Sequence, residues 1–428
     1  YYFFVPNRIL WDDWEEFITG GVDGETLIVE PPYWDPTDTA KGSLWDYMGL
    51  PVGVDPGVNC RPVDFPKRAY NLIYNEYFRD ENHITEIDID LTEDIQIAAW
   101  EKDYFTSCLD SQQRGPAPAL PISGTTFADF TGQTLAGVAD SALGLEFGGS
   151  PPGSSQIISS AGGTAPHAAA ALSKNVVDLS SATSVNIAEL RLAIQLQRWL
   201  EVNARTGVRY KEFLLGQFAI APRDDRLQRP EYVSGYKCPV VVSEVIQTSS
   251  TDATTPQGNL AGKGLSAERT YIGSYRAEEF GWIIGLMVIR PKPAYSQGVN
   301  RQFLKESRYD YYFPAFANLA EQAVIREEIY ANTVEADNKT IFGYQGRYDE
   351  LRVKQNLVCA EMRDTFDYWH LGRQFGAPPE LNQAFIDCVP RKDIFAVQDE
   401  DGFLCNIGNI IEATRPIPIM SIPGLMDH

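Results

Sequence analysis

The run Gly258-Asn259-Leu260-Ala261-Gly262-Lys263-Gly264 is the first place to look for chemistry, because a glycine-rich turn ending in lysine can cradle phosphate with its backbone amides. Three residues separate Gly258 from Gly262 where a phosphate loop needs four, and Gly264 stands where the Mg²⁺-binding hydroxyl belongs. The flanking residues are Thr- and Gln-rich with no helix to follow, so nucleotide binding is not expected. Carboxylates offer a second possibility. Asp88 and Asp90 alternate with Ile87, Ile89 and Leu91, and Glu93 and Asp94 lie just beyond. Paired carboxyl groups can serve glycoside hydrolysis or hold Ca²⁺. Here the alternation predicts a half-exposed strand whose aliphatic face needs the core, which turns both aspartates toward water or a charged rim between subunits. Asp12-Asp13 and Glu15-Glu16, flanking Trp14, read the same way, and Asp399-Glu400-Asp401-Gly402 is turn chemistry.

Histidine is scarce: His83, His167, His370 and His428. None pairs at metal-ligand spacing, and no serine sits in a nucleophile elbow. His370, between Trp369 and Leu371, reads as a packed core or interface residue, and His83 as a polar residue at a helix end. The cysteines Cys60, Cys108, Cys238, Cys359, Cys388 and Cys405 are dispersed without a Cys-X-X-Cys pair, which predicts buried free thiols in a reducing compartment. We therefore expect no catalytic residue, no cofactor site and no metal site.

The elements that must position these residues follow from composition and spacing. The 428 residues are 44 % hydrophobic and 12 % aromatic, enough for a sizeable core, and carry 36 Lys+Arg against 58 Asp+Glu for a net charge of −22. A chain this acidic is repelled by phosphate backbones and anionic lipid. No apolar run is long enough for a transmembrane helix. The opening Tyr1-Tyr2-Phe3-Phe4-Val5-Pro6, without Met, reads as the middle of a strand, so an upstream segment is expected to be missing. A helix is predicted from Asp64 and Pro66 through Phe78, with Ala69, Leu72, Ile73 and Tyr77 at helical spacing. Residues 115–185 are about two-thirds Ala, Gly, Ser, Thr and Pro, too poor in large apolar side chains to build a core, and read as an insertion. Asn186 and Glu189 then open a second helix whose apolar face is Ile187, Leu190, Ile194, Leu196, Trp199 and Leu200, ending at Gly207. Strands are expected at Val240–Ile246, Thr270–Tyr275 and Trp282–Ile289. Trp11, Trp14, Trp34, Trp45, Trp100, Trp282 and Trp369 fall in Pro-rich, charged segments, a distribution that suits loops burying aromatics against other copies.

Taken in order, these segments resemble the major capsid protein of the Microviridae, and within them the gokushovirus-like branch. The matching motifs begin with Tyr2-Phe3-Phe4-Val5-Pro6-Asn7-Arg8, Tyr70-Asn71-Leu72-Ile73-Tyr74-Asn75-Glu76 and Trp100-Glu101-Lys102-Asp103-Tyr104-Phe105-Thr106-Ser107. They continue through Arg226-Leu227-Gln228-Arg229-Pro230-Glu231-Tyr232, Pro256-Gln257-Gly258-Asn259-Leu260-Ala261-Gly262, Gly343-Tyr344-Gln345, Trp369-His370-Leu371 and Ser421-Ile422-Pro423-Gly424-Leu425. Arg205-Thr206-Gly207 and Ile194 depart from the family's usual residues, a difference that bears on the branch alone.

The resemblance implies a mainly β fold, with residues 1–428 forming a single eight-stranded antiparallel jelly roll of viral capsid type that carries long loop and helical insertions. It implies a structural role, not an enzyme: a T=1 icosahedral shell around a single-stranded DNA phage genome, assembled in the bacterial host cytoplasm and found in the virion. Its partners would be other copies of itself, a small basic DNA-binding protein, a minor or pilot capsid protein, the packaged DNA and a host receptor, with no membrane insertion. Residues 115–185 would be a variable surface protrusion at the threefold axes. Two other readings are a phage spike or receptor-binding protein and a secreted all-β carbohydrate-active enzyme; the latter needs two carboxyl groups facing one cleft roughly 5–10 Å apart.

Overall fold

Phe3, Phe4 and Val5 are 1, 2 and 0 % exposed, which marks their strand as one covered on both faces. The computed structural model describes residues 1–20, 30–53, 61–118, 187–207, 209–246, 260–319, 321–395 and 398–415. They fall into two compact units, Tyr1–Asp110 with Pro222–His428, and Ser111–Ala221.

In the first unit the strands are β1 (Tyr2–Pro6), β2 (Glu231–Ser234), β3 (Val241–Ile246), β4 (Leu260–Leu265), β5 (Gly281–Gly285), β6 (Gln322–Ile325) and β7 (Ile341–Gln345). They pair antiparallel in three small sheets, β2-β1-β5, β3-β4 and β6-β7. In the first sheet Phe4 lies opposite Ile283 and Val5 opposite Trp282. Gly281 is required at the end of β5: a Cβ there would stand 2.5 Å from the Val5 carbonyl oxygen and 2.6 Å from the Phe4 ring.

The short helices α1 (Trp14–Thr19) and α2 (Leu44–Tyr47) precede α3 (Phe65–Ile73). Phe65, Ala69 and Ile73 recur every fourth residue and pack on Phe3 and Val5. Asp64 begins α3 by ion-pairing Lys67 and Arg68 at 3.2 and 3.0 Å rather than by a side-chain cap. The helix then widens into a π turn over Tyr74–Phe78. A second core gathers Tyr104, Phe105, Val324, Ile329, Phe342, Phe385 and Ile386 around β6-β7. A third is the Trp34–Trp45 pair, with ring centroids 5.0 Å apart, closed by Leu44.

The second unit contains α4 (Ile187–Thr206) and α5 (Tyr210–Phe218), which pack with the rings of Trp199 and Phe213 edge to face at 6.4 Å. Gln217 Nε2 donates to Asn203 Oδ1 at 2.5 Å between them. Leu192, Ile194, Leu196 and Trp199 of α4 remain exposed.

The helices expected at Asp64 and Asn186 form, as does β3. The strand expected over Ile87–Leu91 does not: the Asp88 carboxylate accepts the N–H groups of Asp90 and Leu91 at 2.8 and 3.1 Å, folding the segment into a turn. Thr270–Tyr275 carries no strand pairing, and the apolar run from Trp282 is strand to Gly285, with the Leu286 N–H still donating to the Tyr1 carbonyl at 2.8 Å. Trp34, Trp45 and Trp100 are 2, 2 and 6 % exposed and so belong to this subunit's own interior, not to contacts with other copies. Residues 119–185 of the small-residue tract, the first four residues of the motif at Pro256, and the motif at Ser421 lie outside the described residues.

Candidate assembly surface

The residues with catalytic potential are absorbed by local structure. Asp90 pairs with Arg68 at 2.9 Å, and its carbonyl accepts Lys67 Nζ at 2.6 Å, so α3 holds the turn it belongs to. Asp88 and Asp90 are exposed, as the sequence predicts, although on a turn rather than a strand. Glu93 accepts from Trp34 Nε1 at 3.1 Å and from the Thr37 N–H and hydroxyl at 2.8 and 2.6 Å, fastening a loop. Glu15 and Glu16 stand in the first turn of α1, where the helix dipole favours negative charge. Asp399, Glu400 and Asp401 are exposed.

His370 is half-buried with both ring nitrogens occupied. Nδ1 accepts the Gly372 N–H at 2.9 Å, which leaves Nε2 to donate to the Met362 carbonyl at 2.7 Å. The half-buried His83 has its ring between Asp80 and Asp110, at 4.0 and 3.7 Å. The glycine-rich run lies partly in β4, and Gly262 faces a close neighbour: a Cβ there would come within 3.2 Å of Val242 Cγ1. Those glycines thin a β ribbon, and no helix follows to receive a phosphate. Among the described residues no cluster of His, Cys, Asp and Glu is arranged to hold a metal. Cys108 and Cys388 are buried, and loss of water pushes the Cys388 thiol up to about 11 and Cys108 higher still. Cys359 and Cys405 are exposed, contrary to the expectation of buried thiols.

What sequence reasoning missed is a buried polar network built from the Trp100–Ser107 motif. Glu328 receives Tyr104 Oη at 3.0 Å, Arg301 Nη1 at 2.7 Å and the Ile325 N–H at 3.1 Å. Burial pushes the Glu328 carboxyl above the usual carboxylate range, with Arg301 pulling it back. Asp103 accepts Tyr295 Oη at 2.7 Å and the N–H groups of Phe105 and Thr106 at 3.0 and 2.8 Å. Gln345 on β7 donates to the Tyr104 carbonyl and to Ser107 Oγ, both at 2.7 Å. The Arg373 guanidinium sits 4.0 Å over the Phe385 ring and 4.9 Å over Trp100. Donors and acceptors are matched inside a packed core, an arrangement that fixes the fold. Partners drawn from residues 103, 301, 328 and 345 meet only in three dimensions, so spacing along the chain carries no signal of them.

The outer surface is the unusual part. Tyr271, Phe303, Leu357, Leu404, Ile410 and Ile411 are each at least three-quarters exposed, Val240–Val242 form an exposed apolar run, and Tyr309, Tyr311, Tyr312 and Phe313 an exposed aromatic cluster. Surfaces of this kind mark association sites.

A family model described as capsid protein (F protein) matches residues 1–425. The chain belongs to that family. It is 35 % identical to the capsid protein VP1 of Chlamydia phage 1, over 99 % of this chain and 86 % of that protein. The capsid protein VP1 of Bdellovibrio phage phiMH2K is 37 % identical over 90 % of this chain and 77 % of its own length. The corresponding protein of Spiroplasma virus 4 is 32 % identical over 99 % and 85 %. This is a structural capsid protein of a Microviridae-like phage, part of the virion and built to associate into a shell. No described helix is long and apolar enough to cross a membrane.

Proposed function

We propose that this capsid protein forms a T=1 shell around single-stranded DNA, with a jelly-roll core, in a structural role without catalysis. The observation that carries the reading is the family match over residues 1–425, joined to an outer surface rich in exposed aromatic and aliphatic side chains. Antiparallel pairing throughout the described sheets is compatible with a jelly roll, which adds strands and sheet packing beyond them. Residues 115–185 are the proposed surface protrusion, a host receptor its natural partner, and the host cytoplasm the place of assembly. The test is a cryo-electron microscopy reconstruction of particles from cells expressing the full chain with its assembly partners. The expected map shows T=1 shells, eight-stranded subunits and the 115–185 segment outside; open aggregates, or that segment lining the interior, overturn the corresponding part.

Packaging then requires positive charge from elsewhere. At −22 the chain adds to the genome's charge instead of neutralising it, so a small basic DNA-binding protein belongs between shell and DNA, beside a minor or pilot capsid protein. The purified chain alone is expected to bind single-stranded DNA no more tightly than about 10⁻⁶ M at physiological salt. A salt titration checks this; tight binding with a steep salt slope shows the basic partner to be unnecessary.

A further inference from the structure

Residues 403–411, Phe403-Leu404-Cys405-Asn406-Ile407-Gly408-Asn409-Ile410-Ile411, are all exposed, with Leu404 completely so and Ile410 and Ile411 at 83 and 81 %. They make no backbone hydrogen bond to any other described residue. Three side-chain contacts tether them: the Phe403 ring meets Phe395 edge to face at 5.5 Å, Tyr2 Oη donates to Asn409 Oδ1 at 2.9 Å, and Cys405 Sγ lies 3.9 Å from Met287 Sδ. A stretch this apolar with its amides and carbonyls open is matched to a strand partner it lacks.

The β3-β4 ribbon lacks the complementary piece. It is a sheet of two strands with no further strand paired to either edge among the described residues. Val241, Val242 and Leu265 are each about two-thirds exposed. Two strands alone are marginal in water, and open edges invite pairing. The ribbon's six residue pairs span roughly 20 Å and an extended nine-residue segment about 30 Å, so the segment is long enough to pair along a whole edge. In its own subunit the segment is held at Phe395, at Tyr2 of β1 and at Met287 just past β5, and not at the ribbon.

We propose that residues 403–411 are an arm that adds as a strand to the open edge of the β3-β4 ribbon of a second copy of this chain. Charge selects that occupant. No charged residue lies between Asp401 and Glu412, in a chain carrying −22, so this is a strip along which two acidic copies approach without repulsion. A basic partner would be met by carboxylates, and the arm offers none. Arm-to-edge contact is also heterologous, head to tail, the kind that links more than two copies and gives rings where the rotation between them closes. The proposal rests on the shell reading.

Hydrogen–deuterium exchange of shells against the unassembled full chain tests it, alongside the variant carrying Ile407→Asp and Ile410→Asp. Assembly is expected to slow exchange by roughly tenfold or more both at 404–411 and in one of the segments 241–246 or 260–265. The variant keeps the wild-type urea midpoint as a free chain, since both side chains are exposed, while its shell yield falls about tenfold or more. Shells whose arm exchanges as freely as in the unassembled chain overturn the arm and leave the shell reading standing. An arm protected without the ribbon, or a variant assembling at wild-type yield, overturns it equally. Absence of wild-type shells removes the shell reading and the arm together.

Discussion

Arg301→Met is expected to destabilise the free subunit by about 3–5 kcal/mol at neutral pH, because it leaves an uncompensated charge in the core. The Glu328 side chain is 2 % exposed and that of Arg301 25 %, with Nη1 2.7 Å from Oε1. The same guanidinium nitrogen donates to the Ala323 carbonyl at 2.7 Å, so the variant also strips a partner from β6. The pH dependence has a definite sign. Burial already raises the Glu328 pKa in the folded chain, so the folded state holds that proton more tightly than the unfolded one. Its contribution is therefore fully present below the unfolded value, about 4.3, and is lost as pH rises through the folded value. Removing Arg301 raises the folded value further and widens that window. Urea unfolding at pH 7 and pH 4.5 should show the gap between wild type and variant shrinking at the lower pH. An unchanged or larger gap at pH 4.5 would mean that Glu328 is not the charge left behind.

Phe105→Ala should cost about as much, roughly 3–5 kcal/mol, through a cavity rather than a charge. Phe105 is 0 % exposed, and its ring meets those of Tyr104, Tyr295 and Phe342 at centroid distances of 5.1, 4.8 and 6.2 Å. Both tyrosine neighbours are pinned, Tyr104 to Glu328 and Tyr295 to Asp103, so the site has little freedom to collapse. Leu404→Ala is the contrasting substitution. It removes a completely exposed side chain and should move the free chain's stability by no more than about 0.5 kcal/mol. Chemical denaturation of the two variants separates them: Phe105 acts on the subunit and Leu404 only on what the subunit joins. Equal shifts in the two midpoints would refute that division.

The parts of this protein legible from its sequence are those in which neighbours along the chain are also neighbours in space. Phe65, Ala69 and Ile73 share a helix face by spacing alone, and α3 forms there. The defective phosphate loop is excluded by counting residues, and the structure places its second half in β4. The alternation at Ile87–Leu91 misleads because Asp88 offers its own carboxylate to the backbone two and three residues on, a local bond that displaces strand pairing. Trp34 and Trp45 mislead for the opposite reason. Trp34 and Trp45 are surrounded by turn-forming residues, yet each indole finds its hydrogen-bond partner, Glu93 or the Pro51 carbonyl, and the rings close a small core of their own.

By itself, the sequence determined the family, the acidic balance of −22, the two helices marked by their helical spacing and the absence of a motif with catalytic spacing. Each depends on residue identity and order, which do not change on folding. Only the tertiary structure decided which charges are buried, which aromatics belong to the subunit's own interior, and which apolar residues are left without cover. Glu328 and Arg301, Tyr295 and Asp103, and Gln345 and Tyr104 are each separated by tens to hundreds of residues, and long-range packing brings them within hydrogen-bond reach. The same packing leaves Leu404 and Ile410 in water, outside all three cores that the subunit closes on itself.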